Sequence, residues 1–169
     1  MASLTQQTNN PFALIQKYGK PSPWKGLTGQ RESGFLVFDN IANGMRAGFI
    51  NLYNTYLKRG RNTIATIIPV YAPEKDKSKI EAYMRFLENY TKWNRNKVIS
   101  TPAETLLLGR GIIHFEAGKA WIPEKDIQKA HSVALQYLGL EAKAQKAAYT
   151  GGAVIVAAVA YWIYKLIVR

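Results

Sequence analysis

The stretch that decides the fold runs from Asp39 to Gly60 and reads DNIANGMRAGFINLYNTYLKRG. Its apolar side chains recur at intervals of three and four, the period of one buried face of an α-helix. An aspartate before the run can accept hydrogen bonds from free backbone N–H groups, and a glycine after it can adopt the left-handed conformation that ends helices. The sequence therefore predicts a helix from about Asn40 to Arg59, capped by Asp39. Its buried face is Ile41, Met45, Phe49, Leu52, Tyr56 and Leu57.

Four more helices are predicted downstream by the same helical spacing of apolar residues. One of them opens with Thr101-Pro102-Ala103-Glu104, a capping box with proline at the first helical position, in which Glu104 is the reciprocal partner. The only alternating, strand-like run is brief, at Phe35–Phe38. We therefore expect a mainly α fold. The predicted helical ranges are 62–73, 77–93, 101–118 and 123–138, with Gly139 as the last stop.

The N-terminal segment, residues 1–34, is rich in Asn, Gln, Gly and Pro. Such a composition is typical of turns and irregular structure. We expect it to be an irregular part of the domain with one short helix around Phe12–Tyr18. The helical domain proper is predicted to span residues 35–139.

The C-terminal segment reads GGAVIVAAVAYWIYKLIV from Gly151 to Val168. As a helix it would be roughly 27 Å long, about the thickness of a bilayer's hydrocarbon core. It is apolar around its whole circumference, and Lys165 near its end can reach the head groups. The sequence thus predicts a single-pass membrane anchor at residues 151–169, preceded by a helical neck at 140–150. The alternative is a buried core helix.

Charge and composition limit the classes of function that the chain can have. The chain has 23 Lys and Arg against 11 Asp and Glu, a net charge of +12, which favours anionic partners such as phospholipid head groups, cell-wall polymers or nucleic acid. It has no cysteine, and its two histidines, His114 and His131, stand alone. P-loop, GxGxxG, HExxH and GxSxG motifs are all absent. No metal and no cofactor are predicted, and carboxylate chemistry remains.

Glu32 is the first candidate acid. The stretch Gln30-Arg31-Glu32-Ser33-Gly34-Phe35 resembles the Glu-Ser motif of lytic transglycosylases with a lysozyme-like fold. The resemblance implies that Glu32 is the sole general acid and base and that Ser33 orients it. The alternative is a solvated loop glutamate paired with Arg31.

Six short pieces are spread over about residues 9–120: Asn9-Asn10-Pro11, Trp24-x-Gly26, Gly34-Phe35-x-x-Phe38, Gly44-x-Arg46-Ala47, Asn62-Thr63-Ile64 and Tyr71-Ala72-Pro73. Their order and rough spacing resemble those in a family of phage virion structural proteins that are commonly assigned as peptidoglycan-degrading enzymes. The chain departs from the family at Phe12-Ala13, usually Gly-Asn, and at Glu74–Lys77, usually an acidic-Asn-x-Thr segment.

Three further residues are candidates for the site. Glu116, in His114-Phe115-Glu116-Ala117-Gly118, resembles a late acidic-small-Gly element of the same family and is the alternative catalytic acid; otherwise it is a surface residue at a helix end. Trp24 and Tyr71 lie outside the regular helical stripes, near Gly or Pro, and are predicted to stack on a sugar ring.

The function that these resemblances imply is that of a virion-associated murein hydrolase, a lytic transglycosylase or muramidase with a lysozyme-like domain. It would be anchored in the virion's internal membrane and would open the bacterial cell wall locally during phage entry, with peptidoglycan and the lipid bilayer as partners. The alternative is a non-catalytic virion membrane protein that links the capsid and the internal membrane. The capsid or other virion membrane proteins are expected as further partners. Binding of encapsidated nucleic acid needs no cleft and is the least favoured interpretation.

Overall fold

Six α-helices and one two-stranded sheet build the part of the chain that this computed structural model describes, residues 3–16, 24–118 and 121–140. Helices account for most of these residues, so the predicted mainly α fold class is confirmed. The elements in chain order are α1 (Leu4–Gln7), β1 (Leu27–Gln30), β2 (Leu36–Phe38), α2 (Ile41–Asn51), α3 (Ile64–Tyr71), α4 (Lys77–Thr91), α5 (Pro102–Ala117) and α6 (Glu124–Tyr137).

The helix predicted from about Asn40 to Arg59 is present, but its cap is Asn40 rather than Asp39. The Asn40 side chain accepts a hydrogen bond from the Asn43 backbone N–H at 3.0 Å, while the Asp39 carboxylate accepts one from the Asn43 side chain. After α2 the helix continues as a π-helical turn, Leu52–Tyr56, and a 3₁₀ turn, Leu57–Arg59. Gly60, at φ +78°, ends it as predicted.

The remaining helices lie within a few residues of their predicted ranges. Thr63 caps α3, since its hydroxyl accepts a hydrogen bond from the Thr66 N–H. The predicted capping box of α5 is confirmed: the Glu104 N–H donates to the Thr101 hydroxyl at 3.2 Å, and the Thr101 N–H donates to the Glu104 carboxylate at 3.0 Å. Local capping chemistry therefore sets the start of these helices.

The helix predicted around Phe12–Tyr18 is wrong over residues 12–16, and β1 lies in a stretch predicted to be irregular. The physical reason is the buried amide of Asn10. It accepts a hydrogen bond from the Leu14 N–H at 2.9 Å and donates to the carbonyl oxygens of Leu14 and Leu36. The segment is thereby held against β2 by a side chain, and its backbone does not form helical hydrogen bonds.

The sheet is an antiparallel hairpin. Leu27 pairs with Phe38 and Gln30 with Leu36, with an irregularity in the register between Leu27 and Gly29. The turn between the strands is closed by hydrogen bonds that join Arg31 to Gly34 and to Phe35. The hairpin buries Leu36 and Phe38 and leaves its turn in solvent.

The hydrophobic core surrounds α2. Phe12 packs edge-on against Phe49 with ring centroids 5.0 Å apart, and Gly48 makes this possible because a Cβ there would lie 2.0 Å from the Phe12 ring. Burial of such side chains is the main stabilising contribution to a fold of this size. The largest fully buried side chains are Phe12, Phe38, Met45, Phe49, Ile50, Leu52, Ile64, Ile67, Ile68, Leu87, Leu108 and Ile112.

The chain divides into two units, residues 1–134 and 135–169. Of the second unit the structure describes residues 135–140, which finish α6 and turn at Gly139, where φ is +67°. The predicted anchor at 151–169 and all but the first residue of the neck at 140–150 lie outside the described residues. Within the described ranges, no helix combines the length and the apolar character needed to cross a bilayer.

Candidate active site

A cavity of about 420 Å³ opens in the first unit beside the last residue of α3. One wall is the N-terminal segment, a second is the π-helical turn after α2, and a third is the chain that leaves α3. We call this cavity the Tyr71 lobe. Its lining residues are Ala13, Leu14, Ile15, Asn51, Tyr56, Val70, Tyr71, Ala72, Pro73, Glu74 and Glu116.

A second cavity, of about 300 Å³, adjoins the first. Ala72, Glu74 and Glu116 line both, so the two cavities meet at these residues. We call the second cavity the Tyr83 lobe and the two together the cleft. The other residues lining the Tyr83 lobe are Lys79, Ile80, Ala82, Tyr83 and Phe115.

Glu116 lies in the last turn of α5, just before Gly118 ends the helix. The preceding turns of α5 are buried in the core, and this fixes the end of the helix at the cleft. The carboxyl group of Glu116 is half-buried, and loss of solvent raises its pKa, while the neighbouring Tyr83 hydroxyl lowers it in part. Glu116 therefore keeps its proton to a higher pH than an exposed glutamate, as a general acid must.

Tyr83 is the buried aromatic residue beside Glu116. Its ring stacks on Phe115 with centroids 3.6 Å apart. Its hydroxyl is buried and makes no hydrogen bond of regular geometry with the described residues. Burial raises the pKa of Tyr83, and Tyr71 and Glu116 raise it further. The hydroxyl is consequently neutral and is available as a donor to the Glu116 carboxylate.

Tyr71, predicted to contact sugar, lines the cleft together with Glu116. Its hydroxyl donates a hydrogen bond to the Phe12 carbonyl oxygen, and its ring is tilted against Tyr56 at a centroid distance of 5.8 Å. Burial raises the pKa of Tyr71 well above its usual value, and the charge of Glu116 adds to this effect. The structure thus brings together two of the residues that were predicted from the sequence.

Glu74 and Asn51 belong to the cleft but were not predicted. Glu74 lines both lobes and forms a salt bridge with Lys79 at 2.9 Å. Asn51 accepts a hydrogen bond from the Thr55 hydroxyl at 2.7 Å. One feature of the sequence points to Glu74: it comes directly after Tyr71-Ala72-Pro73, at a place where the chain departs from the family pattern.

Glu32, Ser33 and Trp24 are placed elsewhere. Glu32 and Ser33 are exposed in the β1–β2 turn, and Trp24 is half-buried just before β1. None of the three is among the residues that line either lobe. The hairpin adjoins the N-terminal wall through a bridge between Ile15 and Phe35, and Glu32 itself remains in solvent.

Other residues of the family resemblance have structural roles. Asn9 donates from its side chain to the Phe38 carbonyl oxygen at 3.0 Å, and its own carbonyl oxygen would lie 1.8 Å from a Cβ on Gly44. These residues fix the N-terminal segment against β2 and α2. Of the matching pieces, Tyr71-Ala72-Pro73 is the one that lines the cleft in full.

The described residues contain no group of three or more His, Asp or Glu side chains arranged to hold a metal ion. No protein-family model matches this chain, and no curated protein matches its sequence. The cleft therefore has to be interpreted from its own chemistry.

Proposed function

We propose that this chain is a virion-associated murein hydrolase with a lysozyme-like domain that cleaves glycosidic bonds of peptidoglycan during phage entry. One observation carries the proposal: the half-buried carboxyl of Glu116, whose pKa is raised, lies where two cavities meet. Aromatic side chains line both cavities. A carboxylic acid that keeps its proton to a higher pH than usual, beside sugar-sized space, is suited to protonate a glycosidic oxygen.

In the proposed mechanism Glu116 acts first as an acid. It donates its proton to the glycosidic oxygen as the bond to the anomeric carbon breaks, and the electron pair of that bond stays with the departing oxygen. The Glu116 carboxylate then accepts a proton from the incoming hydroxyl. If that hydroxyl belongs to the substrate itself the product is an anhydro sugar, as in a lytic transglycosylase. If it belongs to water the product has a reducing end, as in a muramidase.

Glu74 is the second carboxylate of the proposed mechanism. It lines both lobes beside Glu116 and forms a salt bridge with Lys79. A carboxylate in this place stabilises the positive charge that develops on the sugar as the bond breaks. The two glutamates thus take different roles because their surroundings differ.

Charge and the C-terminal segment support the proposed location. The net charge of +12 attracts the chain to anionic wall polymers, and residues 151–168 have the length and composition of a membrane anchor. The anchor would hold the domain at the virion's internal membrane.

The alternative is a non-catalytic virion membrane protein that links the capsid to the internal membrane. One observation favours it: Ala13 and Glu74, at the two places where the chain departs from the family pattern, both line the cleft. Fold and scaffold alone do not decide between an enzyme and its non-catalytic relative.

The deciding experiment uses the full chain in detergent with purified peptidoglycan. We expect a fall in turbidity and the release of soluble fragments. The masses of these fragments distinguish transglycosylation from hydrolysis, because an anhydro product is lighter by one water. If no type of peptidoglycan is cleaved, the enzymatic proposal fails and the structural alternative replaces it.

A further inference from the structure

Two basic segments of the chain adjoin each other outside both cavities. They are residues 58–62, at the end of the helix that begins with α2, and residues 92–98, which follow α4. The Ile99 N–H donates to the Asn62 carbonyl oxygen at 2.7 Å, and the Ala65 N–H donates to the Arg95 carbonyl oxygen at 3.1 Å. These hydrogen bonds hold the segments side by side, and we call the two segments the basic surface. None of its residues lines either lobe of the cleft.

We propose that the basic surface binds the phosphate groups of an anionic lipid bilayer. The domain itself would then lie on the membrane that residues 151–169 are proposed to span. This inference goes beyond the proposed cleavage, because it assigns to the domain a second binding site that takes no part in catalysis. It depends on the proposed membrane location only for the choice of partner.

The balance of charge on the basic surface favours an anionic partner. Its two segments contain six Lys or Arg and no Asp or Glu. Three glutamates of α4 and α5 approach it, but they pair with only two of these cations. The pairs are Arg95 with Glu81 and Glu88, and Lys97 with Glu104. Within the residues that the structure describes, the other four cations form no salt bridge; they are Lys58, Arg59, Arg61 and Lys92. The surface therefore keeps an excess of positive charge, which attracts anions.

Helix capping does not account for the whole run Lys58-Arg59-Gly60-Arg61. Cations in the last turn of a helix offset the partial negative charge of its carbonyl groups, and this explains Lys58 and Arg59. Gly60 then turns the chain, at φ +78°, so Arg61 lies beyond the helix and directly before Asn62, whose carbonyl oxygen holds the second segment. The charge of Arg61 is consequently available to a partner.

An exposed apolar side chain beside these cations favours a bilayer over a nucleic acid. Val98 is 54% exposed. An aliphatic side chain among cations suits the boundary between head groups and acyl chains. A single-stranded nucleic acid would instead stack its bases on an open aromatic face. The aromatic ring of this surface is that of Trp93, which is half-buried and has the Lys97 Nζ 4.9 Å from its centroid.

The length of the connecting chain keeps the domain near the proposed membrane. Ten residues, 141–150, separate the end of the described chain from the predicted anchor. Ten residues span at most about 36 Å. This distance is comparable to the diameter of a domain of this size, whose radius of gyration is about 14 Å. A basic face of the domain can therefore come into contact with the head groups.

The test follows the reactivity of the Lys58 amine in the full chain. The chain is transferred from detergent to vesicles of phosphatidylcholine alone or of an equal mixture of phosphatidylcholine and phosphatidylglycerol. Its lysines are then modified with an amine reagent and the products are identified by mass spectrometry. Lys125, exposed on α6 and outside the basic surface, is the internal reference.

Relative to Lys125, we expect Lys58 to react at least about fivefold more slowly with anionic vesicles than with neutral ones, the factor for a single cation near an anionic membrane. High salt should remove this difference, because it screens the charges.

Two double variants make the test specific. Arg59→Gln with Arg61→Gln removes two cations of the basic surface and keeps Lys58 as the reporter. Lys75→Gln with Lys77→Gln removes the same charge from another exposed stretch and is the matched control. The protection of Lys58 should be lost in the first double variant and retained in the second. Arg59→Gln alone, at an exposed position, should lower the protection and replaces the first double variant if that protein does not fold.

Three results would overturn the inference. One is equal reactivity of Lys58 with neutral and anionic vesicles, and another is an equal loss of protection in both double variants. The third is stronger protection of Lys58 by a DNA duplex than by the anionic vesicles, which would assign the surface to nucleic acid. In each case the proposed cleavage stands or falls separately, by the peptidoglycan assay.

Discussion

The Tyr71 hydroxyl donates a hydrogen bond to the backbone carbonyl oxygen of Phe12. This bond joins the last residue of α3 to the N-terminal segment, and residues of both elements line the Tyr71 lobe. Phe12 is itself fixed, because its ring is fully buried against Phe49. The shape of this lobe therefore depends on a contact between residues that are 59 positions apart in the sequence.

Replacing Tyr71 with Phe removes this hydroxyl and leaves the Phe12 carbonyl oxygen without its partner. We expect the free energy of unfolding to fall by about 1 kcal/mol, the usual net value of one hydrogen bond. Substrate binding should weaken severalfold, since the walls are no longer held together. Denaturant unfolding and the dependence of rate on peptidoglycan concentration measure the two effects. If neither the free energy of unfolding nor the dependence of rate on peptidoglycan concentration changes, the hydrogen bond does not shape the lobe.

Gly44→Ala tests the packing of the N-terminal segment on α2. Alanine is normally preferred over glycine inside a helix by about 1 kcal/mol. Here its Cβ would lie 1.8 Å from the Asn9 carbonyl oxygen, a backbone atom that cannot easily move. We expect the clash to dominate and the variant to lose roughly 1–3 kcal/mol in chemical denaturation.

Gly29→Ala is the control for Gly44→Ala, because a Cβ at Gly29 meets nothing within 4 Å. Its stability should stay within about 0.5 kcal/mol of the unmodified chain. Greater stability of Gly44→Ala would mean that the segment is not held as described.

His131 makes stability depend on pH. It is buried beside Phe49, and its Nε2 lies 3.2 Å from the Tyr53 hydroxyl oxygen. Burial, and to a smaller extent the charge of Arg110, lowers the pKa of His131 from 6.5 to about 4. The unfolded chain therefore binds a proton between pH 6.5 and about 4 that the folded chain does not, so stability falls as the pH falls through this window.

The loss from His131 between pH 6.5 and 4 is roughly 3 kcal/mol at most. His131→Phe keeps an aromatic ring next to Phe49 but does not titrate. Denaturant unfolding of both proteins at several pH values should give a smaller decline for the variant in this window. If the free energy of unfolding declines equally with falling pH in the two proteins, His131 is not the source of the pH dependence.

Ala157→Arg tests the predicted membrane anchor, in which residue 157 is near the middle of the apolar stretch. An arginine at the centre of a spanning helix costs about 2.5–3.5 kcal/mol on insertion scales. We expect a smaller fraction of the expressed protein in washed membranes. Asn89→Arg adds the same charge to the exposed surface of α4 and should leave the membrane fraction unchanged. Equal membrane fractions for Ala157→Arg and the unmodified chain would contradict the anchor.

The helices could be predicted because their signals are local. Each signal is formed by residues that are close together in the sequence. Examples are the apolar period of α2, the capping box of Thr101 and Glu104, and the stop at Gly60. The choice between Asp39 and Asn40 as the cap could not be made this way, since both side chains are able to cap a helix. The N-terminal segment was mispredicted because Asn10 bonds to Leu36, 26 residues away.

The site was harder to predict because burial is a property of the tertiary structure. A short motif favours Glu32, but such a motif carries no information about the cavities. The sequence offers Glu116 as the alternative acid, but its position at a helix end does not reveal the burial that raises its pKa. Tyr71 was predicted from its place beside Ala72 and Pro73, where the chain leaves α3 and forms a wall of the cleft. Glu74 comes directly after Pro73 in the same stretch, and the sequence does not predict it as a site residue.

The most direct test of the central claim compares Glu116→Gln with Glu32→Gln in the peptidoglycan cleavage assay. Glutamine keeps the size of the side chain but has no proton to transfer, so both variants should remain folded. We expect Glu116→Gln to lower the cleavage rate at least about a hundredfold, the lower range for general acid catalysis, and Glu32→Gln to retain nearly full activity. Full activity of Glu116→Gln together with a loss in Glu32→Gln would contradict the assignment of Glu116 as the acid.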